Sequence, residues 1–254
     1  MSWTAADAAH TVSAVAVATP ATRVGRPAAV TALWRSNIGK KAVMATTGLL
    51  MLLFLVVHML GNLKIFFGRT DFDAYAHWLR TIGHPVLHNA WYLWIQRFGL
   101  LVIVGLHIVS AYQLSRRDSK ARPQKYAHRL RPTASYATNT MRYGGIILGL
   151  FVIYHILDLT ALVANPHGVE GQPYNNVVAD FEPAHWYIAV AYIVAMLALC
   201  AHIAHGFWSA ARTLGAVSSA TQATAYKATA GVLAAVIALG FLSVPIAVLA
   251  GLVR

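Results

Sequence analysis

Cysteine is almost absent from this 254-residue chain, with Cys200 its sole example. One thiol excludes an intramolecular disulfide framework, a four-cysteine zinc site and an iron–sulfur cluster held by this chain alone. Its expected role is that of a small buried packing residue. Charge is scarce as well. Only 11% of the residues are Asp, Glu, Lys or Arg, where a soluble domain carries about a quarter. Acids are the rarest, 8 against 20 Lys and Arg, which leaves a net charge of +12. Intrinsic disorder is excluded by the 58% of apolar residues, too much surface to leave solvated. Neither strand alternation nor an internal repeat is present, so a closed β-barrel is not expected. What is left is an all-α integral membrane protein of one domain.

About 20 mostly apolar residues are needed for a helix to cross ~30 Å of hydrocarbon. Five stretches qualify, approximately Ala42–Leu63, Trp91–Leu114, Tyr143–Ala164, Ala184–Ala211 and Ala228–Val253. They make residues 34–254 a five-helix domain. Residues 1–33, rich in Ala, Val and Thr, read as a mobile cytoplasmic tail. A secretory signal would open with positive charge, whereas here Asp7 and His10 precede Arg23 and Arg26.

The excess of cations sits between the spans. Arg116 to Arg142 holds eight Lys or Arg and one acid, while Asn165 to Pro183 holds none and carries Glu170, Asp180 and Glu182. Cationic loops stay in the cytoplasm. The N-terminus is therefore expected inside and the C-terminus outside, in a multi-pass protein of the bacterial cytoplasmic membrane. Topology and anionic lipid headgroups account for this charge, and a nucleic-acid partner is not implied. Arg116, Arg117, Lys120, Arg122, Lys125, Arg129 and Arg131 are further suited to docking an acidic soluble partner.

Five of the twelve histidines lie well inside spans: His58, His107, His155, His202 and His205. Depth can be counted at 1.5 Å per residue from the cationic flank of each span. His58 lies roughly 26 Å from Lys41 and His155 roughly 20 Å from Arg142, whereas His107 lies roughly 14 Å from Arg116 and His202 roughly 15 Å from Arg212. Spans one and three thus offer an outer pair, and spans two and four an inner pair. His205, at roughly 10 Å, matches His107 less well, but it shares nearly one helical face with His202 and periodicity does not choose between them. Two opposed imidazoles at one level are the axial arrangement of a six-coordinate haem b. Two levels imply two haems, non-covalently held, because no Cys-x-x-Cys-His run exists. A metal held by protein alone would need three or four ligands at one depth. Gly48, Gly61, Gly99, Gly105, Gly149 and Gly206 suit a bulky macrocycle, and suit close helix packing as well.

Several short runs add to this pattern. They are Ser36-Asn-Ile-Gly-Lys-Lys41 leading to Gly48, His58-Met-Leu-Gly-Asn62, Leu106-His107-Ile108, Tyr154-His155, and His202-Ile-Ala-His-Gly-Phe-Trp208 with Thr213-Leu-Gly215. In this order, on five spans, the chain resembles the single-chain, five-helix, di-haem cytochrome b membrane anchor of bacterial succinate:menaquinone oxidoreductases and fumarate reductases. The resemblance runs from about Ser36 to the end of the fifth span. It implies that His58, His107, His155 and His202 are the haem ligands, His202 being the residue four before a glycine, Gly206. It further implies menaquinone as electron acceptor, and flavoprotein and iron–sulfur subunits of succinate dehydrogenase as partners, besides lipid and further copies of the complex. The fifth span carries no ligand. The tail and the Asn165–Pro183 connection fall outside what the resemblance covers.

The remaining polar residues have weaker assignments. His205 and Arg212 are candidates for a second shell around the inner haem or for its propionates. Asp158, one turn beyond His155, is expected either to handle protons or ligand, or to pair with Arg97. With His77 and Arg80 these two form the candidate quinone pocket, although aromatics near His77 also fit an interfacial belt, as Trp91, Trp94, Trp186 and Tyr187 do. The 19-residue Asn165–Pro183 connection is long enough to be functional or disordered. The chain has no flavin motif, iron–sulfur ligands or dicarboxylate site, so it is expected to carry electrons for an oxidoreductase and not to be an enzyme by itself. Two other functions stay open: the cytochrome b of a different membrane dehydrogenase, and a haem-free channel or transporter relaying protons through its histidines.

Overall fold

Every span expected from hydropathy is helical in the computed structural model, which describes residues 26–121 and 132–254. The helices are α1 (Arg26–Arg35), α2 (Asn37–Leu63), α3 (Arg69–Thr81), α4 (Trp91–Lys120), α5 (Pro132–His155), α6 (Pro173–Phe181), α7 (Trp186–Thr213) and α8 (Ala220–Leu249), and the described residues hold no strand. Five segments are long and apolar enough to cross a membrane: Asn37–Phe67, Trp91–Lys120, Met141–Thr160, Pro183–Thr213 and Ala220–Leu249. This is the architecture of an all-α, multi-pass membrane protein. In succession α2, α5 and α8 run one way and α4 and α7 return. Helix α1 already occupies Arg26–Arg35, the last part of the stretch assigned to a tail; residues 1–25 lie outside the described residues.

Local chemistry sets the helix ends. Ser36 caps α2 by accepting the Gly39 amide at 2.9 Å, and Ser219 caps α8 by accepting that of Gln222 at 3.2 Å. That serine starts α8 eight residues before the apolar run, in Ala220–Lys227, which hydropathy alone leaves out. Helix α7 stops at Gly215, whose φ of +80° suits a residue without a Cβ. There the Ala216 amide donates to Ala211 O and the Gly215 amide to Arg212 O, and the same pair of bonds closes α8 around Gly251. The third span departs most from expectation. Its α-helix ends at His155, and Ile156–Thr160 form a single π turn, so Ala161–Ala164 are not part of it.

Lipid supplies no hydrophobic drive between helices, so close packing must hold them. Small residues permit it: Ala189, Ala195, Ala234, Ala238 and Ala247 are buried on α7 and α8, the two most extensively paired helices. Helix α7 also packs on α2 and α5, and α2 on α4 and α8, while neither α2 with α5 nor α4 with α7 makes an extensive backbone contact. At the cationic end, the Lys40 ammonium donates to Gln113 Oε1 under the Trp34 ring, and Arg117 donates to Asn37 Oδ1, tying α2 to α4.

The opposite end is closed by α3 and α6. Asp73 Oδ1 accepts the Tyr174 amide (3.1 Å) in the first turn of α6, where an acid also suits the helix dipole. The Tyr174 hydroxyl donates to the Arg254 carbonyl (3.0 Å), with the Arg69 guanidinium over its ring. Asn176 clamps the connection by accepting from Val169 N and donating to Val169 O, both at 2.9 Å. The acidic connection thus forms a folded cap. Trp91, Trp94, Trp186 and Tyr187, at the starts of α4 and α7, are exposed around it as an aromatic belt would be.

Candidate functional site: two histidine pairs in the bundle

Four histidines meet as two pairs, each between helices whose backbones stay apart. The rings of His58 (α2) and His155 (α5) have centroids 5.9 Å apart, and those of His107 (α4) and His202 (α7) 6.3 Å apart. A metal–imidazole bond runs about 2.0–2.1 Å, as for zinc, and a ring nitrogen sits about 1.2 Å from its ring centre, so one metal between two imidazoles separates the centres by about 6.4 Å. Both pairs have this spacing to within half an ångström. The levels are well separated, since Thr47, which touches His107, and His58 are eleven residues apart on α2, about 16 Å.

Hydrogen bonds choose the ring nitrogen that stays free. His107 Nδ1 lies 3.1 Å from Met44 O and 3.2 Å from Thr47 Oγ1. A carbonyl only accepts, so Nδ1 carries the proton and Nε2 keeps its lone pair. At the other level, Tyr192 donates its hydroxyl to Asp158 Oδ2 (2.9 Å), so its oxygen accepts from His155 Nδ1 (3.1 Å). Nε2 is again free. Metal-ligating histidines are held in this way, with the second nitrogen bonded to a carbonyl or, here through a tyrosine, to a carboxylate. His58 is held by rings: Phe54 one turn earlier (5.2 Å), Phe241 of α8 (5.7 Å) and His155 itself. His202 keeps Nδ1 buried with no hydrogen-bond partner among the described residues. Such a nitrogen costs about 1–3 kcal/mol unless a bound group satisfies it. Ser110 Oγ and Asp158 Oδ1, each one turn from a paired histidine, are likewise buried and unpartnered.

The glycines divide into two groups. A Cβ on Gly48 would meet His107 Cε1 at 3.4 Å, and one on Gly61 would strike the Tyr75 ring at 2.9 Å, so these two serve packing. A Cβ on Gly99, Gly105, Gly149 or Gly206 would meet no described atom within 4 Å. Close helix packing therefore does not account for these four. Among the described residues no three His, Cys, Asp or Glu side chains gather as a metal site. Two imidazoles suffice for iron only when a porphyrin supplies the other four nitrogens, and the paired histidines fit that group.

Other expected site residues are dispersed. His205 is exposed, and the ring that faces His107 belongs to His202. Arg212 is exposed over the Trp208 ring, which it shares with Lys227. The expected alternative of an Asp158–Arg97 pair is corrected: Asp158 is 0% exposed and bonded to Tyr192, while Arg97 is exposed over Trp94. Arginine prefers the aromatic belt because burial beside Asp158 would strip its water. His77 and Arg80 are exposed on α3, whereas Asp158 is buried. Arg116, Arg117 and Lys120 end α4 at the cationic face; Arg122, Lys125, Arg129 and Arg131 lie outside the described residues.

Sequence reasoning missed Tyr192, Thr47 and Asp180. A signal for the first existed: Tyr192 precedes His202 by ten residues, about 15 Å along the helix, the interval between the two levels. Asp180 is 1% exposed in the cap, and burial together with the nearby Asp158 carboxylate pushes its pKa up to about 7, against a lowering by His185. Compared with models of known families, with curated proteins and with solved structures, the chain matches none.

Proposed function

We propose that this chain is the membrane-anchor cytochrome b subunit of a succinate:menaquinone oxidoreductase, with one haem b between His58 and His155 and a second between His107 and His202. The observation that carries this reading is the coincidence of spacing and tautomer: two histidine pairs at metal-bridging separation, two of the four rings with Nδ1 committed and Nε2 free. When bound, the two haems supply one-electron transfer between soluble flavoprotein and iron–sulfur partners at one face and quinone within the membrane. Met44, Thr47 and Tyr192 orient the ligating rings. Phe54, Phe151 and Phe241 exclude water from the His58–His155 level. Asp158, through Tyr192, raises the basicity of His155. The cationic end, with Arg116, Arg117 and Lys120, lies in the cytoplasm and docks the soluble subunits, and the α3/α6 cap lies outside. The succinate and menaquinone assignments rest on the resemblance of the His-bearing runs.

The test is the visible spectrum and haem content of the purified protein. Two b-type haems per chain, all extracted by acid-acetone, are expected. A ratio near one removes one of the two levels, and a ratio of zero ends the reading in favour of a histidine relay without haem. Co-purification with a flavoprotein that oxidises succinate separates this assignment from the cytochrome b of another dehydrogenase.

A further inference from the structure

Two acids lie buried at the capped end without a cation. Asp158 sits in the π turn Ile156–Thr160, against which α6 packs, and π turns recur at functional sites. Asp180 projects from α6 itself. Both are essentially inaccessible, and each keeps one buried oxygen, Asp158 Oδ1 and Asp180 Oδ2, with no hydrogen-bond partner among the described residues.

The titratable and charged groups around them come from every neighbouring element. Helix α5 brings Tyr154 beside Asp158, and α7 brings Tyr187 and Tyr192. The end of the cap brings Glu182 and His185, and the connection brings His167. Arg69 and the C-terminal residue are engaged with Tyr174, and Arg97 with Trp94. Neither acid forms an ion pair among the described residues. Burial and the neighbouring Asp158 carboxylate, with no cation paired to either acid among the described residues, make Asp180 hold its proton more tightly than a free carboxyl does.

Polar groups that reach toward solvent stand beside Asp180. His185 Nδ1 donates to Ala179 O (2.8 Å), the residue before Asp180. Its ring lies 4.8 Å from that of His167 and 3.4 Å from the half-exposed Glu182 carboxylate. On the inner side, Asp158 reaches His155 through Tyr192.

We propose that Asp180 and Asp158 form a proton relay from the capped face of the bundle to the Tyr192–His155 contact, with Asp180 taking protons from solvent beside His185. Tyr192 holds Asp158 by Oδ2 and leaves Oδ1 to carry the proton. The raised pKa of Asp180, about 7, matches a group that loads and unloads near neutrality. The use of the relay rests on the quinone reading above: reduction of quinone to quinol takes two electrons from the donor side and two protons. For each proton, the O–H bond on Asp158 breaks as one forms on the quinone oxygen, Asp180 re-protonates Asp158, and solvent re-protonates Asp180.

The test uses the intact complex in lipid nanodiscs, with infrared difference spectra recorded against pH in light and heavy water. A deuterium-sensitive band of a protonated carboxyl is expected at pH 6, fading with a midpoint near 7. Asp180→Asn should remove it, and Asp158→Asn should move the midpoint down, because the neighbouring negative charge is gone. Asp180→Asn should slow quinone reduction about tenfold or more, with Asp180→Glu recovering most of it and dithionite reduction of the cofactor unchanged. No titrating carboxyl band, or a midpoint in Asp158→Asn equal to that of the parent, overturns the relay. Unchanged turnover in Asp180→Asn overturns it as well. Should that variant fail to fold, the parent and Asp158→Asn titrations decide alone. Absence of haem absorbance sinks the cytochrome reading, while coupled carboxyl bands in the same sample still uphold the relay.

Discussion

Replacing Tyr192 by Phe removes one oxygen and nothing else, so it isolates the link between the cap and the His58–His155 level. The ring already packs at 4.9 Å against both Phe151 and Phe181, and Phe would keep those contacts without opening a cavity. Two hydrogen bonds disappear: the one Tyr192 accepts from His155 Nδ1 and the one it donates to Asp158 Oδ2. Both abandoned groups are largely or wholly buried. A bond to a charged group contributes about 1.5–3 kcal/mol and a neutral one about 1 kcal/mol, so the local loss is about 2–4 kcal/mol. The readout at the metal is smaller, because only ligand orientation and basicity are at stake: supporting residues of this kind are worth about 10–100-fold in affinity. The expected outcome is a weakened haem at this level with the His107–His202 haem retained. Loss of the anionic support makes His155 a poorer donor to the oxidised iron, so the midpoint potential of this level should rise, by about 60 mV for each tenfold difference in affinity between oxidation states. A redox titration followed at visible wavelengths resolves the two levels. Tyr154→Phe, which bears on Asp158 and not on His155, is the comparison. If Tyr192→Phe matches the parent in haem content and both midpoints, or if the lower-lying level of His107 shifts instead, the Tyr192 bridge has no part in holding His155.

The other expectations concern single contacts. Gly48→Val should displace His107, since even a bare Cβ would stand 3.4 Å from its ring, and should deplete that level's haem, whereas Gly105→Ala, with no described atom within 4 Å, should be nearly silent in the same spectrum. His202→Asn should abolish the haem shared with His107 while His205→Asn keeps both haems; the reverse result would put the ligand on the wrong turn of α7. Asp180 binds its proton more tightly folded than unfolded, so its contribution to stability is complete below about pH 4 and is lost as pH rises through about 7. Thermal unfolding in detergent should therefore show a loss on the order of 2–4 kcal/mol between pH 4 and 8, and Asp180→Asn should flatten that part of the curve.

The spans and the two histidine levels were legible because both depend on one-dimensional quantities. Apolar length decides whether a helix crosses a membrane, and the constant rise of a helix converts residue number into depth once Lys41, Arg116, Arg142 and Arg212 mark the cationic end. His58 with His155 and His107 with His202 follow from that count, and they meet as pairs. The boundaries were less legible. Ser219 starts α8 within a polar stretch, and Gly251 ends it before the apolar run is over, because caps obey hydrogen-bond geometry and not hydropathy.

The surroundings of the pairs were decided only in three dimensions. Whether His202 or His205 faces His107 turns on the rotation of α7 about its axis, which its contacts with α2, α5 and α8 set. Tyr192 reaches Asp158 and His155 across 34 and 37 residues, and it does so because a π turn after His155 re-aims Asp158 into the bundle. Asp180 is surface-like by composition, an acid in a polar connection, yet it is buried because Asp73, Tyr174 and the end of the chain fasten α6 over the bundle. Residue order carries apolar length and depth; the direction in which a side chain points, and so the proton it holds, comes from packing between distant segments.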